Sequence, residues 1–228
     1  MPKIIGGIVV VAILVVAIII VRGGSDSNNS GAVNAKAAHA GLRTVLQGAT
    51  FDESGTDDLR VCPLGDLDDL YDAVDKAIGL DPAVGEGIDE RSAREEGDLP
   101  GFVSCQRYAK DESKVDKGAT SVFFQAVLDP PGDYEGYIRD FAGDATDITF
   151  DDSVRFTGGT VHMFCATASG DPGFTGCDAD WVDSTAKIAL NVFLGGDNAK
   201  PTDAFVALKA VLAIMSKNLA KLASGGGS

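Results

Sequence analysis

The side chains best able to do chemistry in this chain are four cysteines, two histidines and a large surplus of acids over bases. Cys62, Cys105, Cys165 and Cys177 form an even set, with no CxxC pair and no histidine at zinc-ligand spacing, which points to two structural disulfides. Three connectivities are open. Cys62–Cys105 and Cys165–Cys177 are favoured, because the first spans an acidic stretch between a helix and a strand and the second closes a Gly/Asp-rich loop onto its strand. On chain entropy the two loops are worth roughly 4 and 3 kcal/mol. A reactive thiol would need basic neighbours, and Asp178 and Asp180 beside Cys177 supply the opposite sign.

Neither histidine has the partners that a metal site requires. His39 falls in an alanine-rich stretch read as solvent-exposed, and His162 sits on a strand, facing away from Val161 and Met163. The chain contains no GxSxG, SxxK, HExxH or phosphate-cradling GxxxxGK(S/T), so no catalytic residue, metal or cofactor is assigned. Carboxylate pairs such as Asp151-Asp152 and Asp178/Asp180 are too numerous among thirty-four acids for any one to be read as an acid–base couple. The segment best placed to bind something is the loop from Gly170 to Trp181, which is glycine-rich, pinned by Cys177, and displays Phe174, Asp178, Asp180 and Trp181. The competing reading is that Trp181 opens the next strand and fills the core.

Helical spacing of Leu64, Leu67, Leu70, Tyr71, Val74, Ala77 and Ile78 predicts a helix from Pro63, with Asp66, Asp68 and Asp69 at its positive end and Gly79 closing it. A second, shorter helix is expected behind Asp133, with Tyr134, Tyr137, Ile138 and Phe141 on one stripe. The last runs from Pro201 through Leu222. Strands are predicted at 103–109, 121–128, 148–156, 160–167 and 185–194, and Gly158-Gly159 marks a hairpin. Residues 48–58, 81–100 and 169–180 read as loops. The order α-β-β-α-β-β-β-α has too few crossover helices for a parallel sheet. The expected fold is therefore α+β: a mostly antiparallel sheet of about five strands with helices packed on one face, preceded by a single transmembrane helix.

That last element is Ile4–Val21, eighteen residues without a charged or polar side chain, fourteen of them Ile, Val or Leu. As a helix it rises about 27 Å, close to the roughly 30 Å hydrocarbon core. No small-x-small cleavage pattern follows it directly, which favours an uncleaved signal anchor, and no cysteine follows it to carry a lipid. The expected organisation is an anchor over 1–22, a flexible linker and stalk over 23–58, an extracytoplasmic domain over 59–223 and a flexible tail over 224–228. The cysteines agree with an oxidising exterior, with the amino terminus in the cytoplasm. A formal charge of −15 disfavours nucleic acid and anionic lipid head groups as partners of the domain.

Val61-Cys62-Pro63-Leu64 ahead of a helix, Ser104-Cys105-Gln106-Arg107-Tyr108 in the following strand, and a closing amphipathic helix together resemble small anchored or lipidated envelope domains of actinobacteria, including sensor-like modules. The resemblance covers roughly Cys62 to Leu222. It implies a fold and a location but no activity, and this chain lacks both the lipidated cysteine and an attached kinase. The functional expectation is a non-catalytic binding or accessory module on the outer face of the membrane, contacting a cell-wall component or another envelope protein. A divalent-cation-responsive acidic domain and an envelope hydrolase built on a carboxylate pair stand as alternatives.

Overall fold

The computed structural model describes residues 33–53, 55–80, 84, 87–95, 100–109, 121–142, 149–167, 175–196 and 199–225. The expected anchor Ile4–Val21, the linker that follows it, and Phe174 lie outside these residues. Among the described residues no helix is long and apolar enough to cross a membrane.

One eight-stranded sheet organises the chain. Its strands are β1 (Thr56–Asp58), β2 (Ile88–Arg94), β3 (Phe102–Tyr108), β4 (Ser121–Leu128), β5 (Thr149–Phe156), β6 (Gly159–Thr167), β7 (Thr175–Asp183) and β8 (Ile188–Gly195). They lie in the order β1-β2-β3-β4-β8-β7-β6-β5, and every neighbouring pair is antiparallel. The helices are α1 (Ala35–Gly48), α2 (Leu67–Ile78), α3 (Tyr134–Ala142) and α4 (Pro201–Ala223).

Three features correct the sequence reading. The sheet has eight strands rather than about five, because β1, β2 and β7 lie in segments read as loops. These strands are rich in Asp, Glu, Arg and Ser, which lack intrinsic strand preference, and they are held by pairing to better-patterned neighbours. The helices also occupy both faces. Helices α1, α2 and α4 pack against Val103, Cys105, Phe124, Ala126, Trp181, Leu190 and Val192, whereas α3 places Tyr134, Tyr137 and Ile138 against Phe102, Val127, Phe164, Val182 and Ala189 on the other side. Topology accounts for this: β4 and β5 are separated by β8, β7 and β6, so the chain between them must cross a sheet face, and α3 lies in that crossing.

The third correction concerns the expected stalk. Helix α1 is capped by Asn34, whose side chain accepts from Ala37 N–H at 3.1 Å, and it buries Ala35, Ala38, Gly41 and Leu42. This stripe of small residues lets α1 approach α4 so closely that a Cβ on Gly41 would overlap the Leu219 carbonyl. His39 is correspondingly mostly covered, with Nε2 3.3 Å from Asp129 Oδ1. The folded unit therefore begins near residue 32 rather than 59.

Both favoured disulfides are present, Cys62–Cys105 and Cys165–Cys177. The second is a rung between directly opposed residues of β6 and β7 rather than a clamp on a loop. The β5–β6 hairpin turns at Thr157 and Gly158, with φ of 53° and 88°. Gly159 already belongs to β6, and the Trp181 indole lies on it so closely that no side chain would fit.

Candidate functional site

Side chains alternate across the sheet, so each antiparallel register brings same-face residues into a row. On the face away from α1, α2 and α4, one such row is polar across seven strands. Asp58 pairs with Ser92, Ser92 with Ser104, and Ser104 with Gln125. Gln125 then pairs with Asn191, Asn191 with Asp180, and Asp180 with His162. Helix α3 divides this row into an open half and a covered half.

The open half, over β1 to β4, forms a concavity of about 700 Å³. Asp58, Glu90, Arg94, Ser104 and Gln106 project into it, and Phe123 supplies an aromatic wall. The Ser92 and Ser104 hydroxyls lie 2.9 Å apart, Gln106 Nε2 donates to Glu90, and Arg94 Nε donates to Thr56 Oγ1 at 3.3 Å. Donors and acceptors of both charges thus line a surface broad enough to accept a polymer segment. On the opposite face of the same strands, Arg107 donates to Asp89 at 2.6 Å and to Asp68 at 2.8 Å, which holds the Asp89 carboxyl below its usual range and joins α2 to the sheet.

The covered half holds two carboxylates. Asp178 and Asp180 stand two residues apart on β7, on the same face, and one Asn191 Nδ2 donates to both Oδ1 atoms, at 2.6 and 2.7 Å. Tyr134 of α3 adds its hydroxyl to Asp180 Oδ1 at 3.0 Å. Asp180, Asn191 and Gln125 are 1%, 3% and 6% exposed. Asp180 Oδ2, Asn191 Oδ1 and Gln125 Nε2 have no hydrogen-bond partner. Neither carboxylate is paired with a lysine or arginine among the described residues.

Burial governs the protonation of this group. It pushes Asp180 up to about 7, against which the Asn191 and Tyr134 hydrogen bonds act. Asp178 is raised well above the ordinary carboxyl range by burial and then by the Asp180 charge. Burial likewise raises Tyr134, and it pushes Tyr137 up to about 12, with Asp180 adding to both.

Of the four residues expected in a binding loop, three are described and they separate. Asp178 and Asp180 face the carboxylate cluster, whereas Trp181 points to the opposite side, fully buried, with Nε1–H donating to Phe156 O at 2.6 Å. Trp181 is a core residue on β7, so the expected loop is largely a strand. The residues missed were Asn191, Gln125 and Tyr134. A signal was present: Gln125 and Asn191 each interrupt an apolar strand run, SVFFQAVL and IALNVFL, where a buried amide is costly unless something uses it. His162 does face away from Val161 and Met163, and its ring lies 5.4 Å from that of Tyr134.

Comparison with protein-family models, curated proteins and solved structures returns no match. The reading of function therefore rests on the geometry of this face and on the sequence.

Proposed function

We propose that this chain is a non-catalytic binding module of the cell envelope, tethered through Ile4–Val21 with its folded part outside the cytoplasm, and that its ligand is a segment of a cell-wall polymer. The observation that carries the proposal is the open half of the polar sheet face, the concavity of about 700 Å³ between β1 and β4. Hydroxyls, amides and both signs of charge beside Phe123 suit a ligand rich in hydroxyl and amide groups, which such a surface can bind along its length. The carboxylates of Asp178 and Asp180 do not contribute to this concavity. The two disulfides support an oxidising location.

Co-sedimentation of the full chain with purified, protein-free wall sacculi tests the reading. The wild type is expected to pellet with the sacculi, and a variant carrying Asp58→Lys and Gln106→Arg is expected to stay in solution with an unchanged melting temperature. Equal sedimentation of both proteins, or none of the wild type, would contradict it. Capture of an envelope protein instead, through the same two positions, would move the ligand from polymer to protein.

A further inference from the structure

We propose that the hollow between the start of α3, the β5–β6 hairpin and the β7–β8 turn binds a phosphate monoester of a sugar or polyol, clamped by Arg155 and Lys187 and independent of what occupies the open concavity. This hollow has a volume of about 580 Å³, and Arg155, Thr160, His162, Val182, Ser184 and Lys187 are part of its lining. Arg155 pairs with Thr160 and Thr160 with Val182, so the three form one row on the sheet face that carries α3. Lys187 joins them from the turn between β7 and β8.

The first observation is how the charges are shared out. Three acids belong to the same lining, Asp129, Asp133 and Glu135, and each is already committed. Asp129 meets His39 and Arg43 of α1, both at 3.3 Å. Asp133 Oδ1 accepts from the Gly136 N–H at 2.9 Å, and Glu135 accepts from Arg139 at 2.7 Å. Among the described residues, neither the Arg155 guanidinium nor the Lys187 ammonium has an ion pair or a hydrogen bond. Two unspent cations therefore share one hollow of a chain whose formal charge is −15. So acidic a molecule repels anions at a distance, and holding one takes local cations of this kind.

The second observation is conformational. Lys187 has a φ of 57°, in the left-handed region where glycine is at ease and a lysine is strained. The turn is fixed in that shape from both sides. Asp129, itself at φ 51°, donates its N–H to the Lys187 carbonyl at 3.0 Å, and the Asp183 side chain accepts from the Thr185 and Ala186 N–H groups at 2.9 and 2.8 Å. A lysine kept where glycine would be easier is an outlier that points to use of its side chain.

The ligand class follows from the donors. Arginine presents a planar fork and lysine a mobile point charge, and Thr160 and Ser184 add hydroxyl groups to the lining. A phosphate monoester brings three terminal oxygens and nearly two negative charges, which match two cations better than the single charge of a carboxylate or a diester. The volume falls in the range of small-molecule sites and exceeds what the phosphate group alone would fill, so the remainder is left to the hydroxylated part of the ester.

The test is saturation-transfer NMR of glucose 1-phosphate with the full chain in mild detergent. Glucose, inorganic phosphate and glycerophosphoglycerol, the headgroup of phosphatidylglycerol without its chains, serve as parallel probes. Glucose 1-phosphate is expected to half-saturate near about 1 mM, the strength of an open site resting on a few charge-assisted contacts. Glucose should give no saturable signal, and inorganic phosphate and the diester should compete at least about fivefold more weakly. Lys187→Gly removes the cation and relaxes the turn, so it should melt no lower than the wild type and bind at least about fivefold more weakly. Arg155→Gln should weaken binding to the same degree, Lys187→Arg should retain it, and Lys76→Gln on the exposed side of α2 should leave it unchanged. The variant carrying Asp58→Lys and Gln106→Arg should bind the ester like the wild type, and loss of binding there would place the ester in the open concavity and overturn the proposal. No saturable signal up to about 10 mM, glucose or inorganic phosphate binding as tightly as the ester, or full affinity in both Lys187→Gly and Arg155→Gln would overturn it as well. Equal or tighter binding of the diester would replace the monoester by a lipid headgroup and refute the assignment.

Discussion

Asp180→Asn makes the protonation of the covered cluster measurable as stability. The Asp180 carboxyl lies at about 7 in the folded chain, against an ordinary value of 3.8, chiefly because it is buried. A carboxyl raised by folding binds its proton more tightly in the native state than in the unfolded one. It is therefore harmless below pH 4 and destabilises increasingly as pH climbs towards 7. At about 1.4 kcal/mol per pH unit, the full excursion is on the order of 4 kcal/mol, part of which belongs to Asp178 through the shared Asn191. Asparagine keeps the shape and an acceptor for Tyr134 and carries no charge. The variant should match the wild type near pH 3, lead it by about 1 kcal/mol near pH 4.5 and exceed it by several kcal/mol at pH 8. Urea unfolding followed by far-ultraviolet circular dichroism, with both proteins at each pH, reads the difference directly, because titrating groups outside the cluster cancel. His162, Tyr134 and Asp178 face the same group, and removing the Asp180 charge relieves part of the upward push on Asp178 and Tyr134, so the difference reads the cluster as a whole. A difference independent of pH, or a wild type more stable than the variant at pH 8, would refute the burial argument.

Three further outcomes test the architecture. Gly41→Ala sets a Cβ against the Leu219 carbonyl and should cost about 3 kcal/mol or more, whereas Gly48→Ala, with open space around its Cβ, should be neutral or stabilising by up to about 1 kcal/mol; equal urea midpoints would return α1 to the status of a stalk. Trp181→Ala should cost about 3–5 kcal/mol by emptying the core and freeing the Phe156 carbonyl, and a loss under about 1 kcal/mol would mean that the indole is not buried. Paired Cys165→Ser and Cys177→Ser substitutions should lower stability by roughly 3 kcal/mol, with free-thiol titration of the wild type giving none before reduction.

Much of the scaffold was legible because it repeats strong local patterns. The Ser121–Leu128 strand, the Tyr134 helix behind Asp133 and the closing helix from Pro201 appear where apolar periodicity and turn residues put them. The long helix begins at Pro201 behind Lys200, with no side-chain cap. The predicted first helix starts later than Pro63, at Leu67, because Asp66 accepts from the Asp68 N–H and fixes the cap. Strand β2, with its sequence IDERSAR, was not legible, since its stability comes from pairing with β3 and from the Arg107–Asp89 contact, both remote in sequence. Strand β7 was hidden for a related reason. Its aspartates suggest a loop until Asn191, Tyr134 and the Cys165 rung are known to lie beside them. The site itself was half visible: the amides that break two apolar strands marked the face, but only the sheet order places them next to Asp178 and Asp180.

Hydrogen exchange of the full chain, with and without solubilised wall fragments from a muramidase digest, addresses the proposed ligand surface most directly. Slower exchange in peptides covering β1, β2 and β3, with α2 and α4 unchanged, is the result expected of a ligand seated in the open concavity. Protection confined to the helical side, or no protection at saturating fragment, would contradict it.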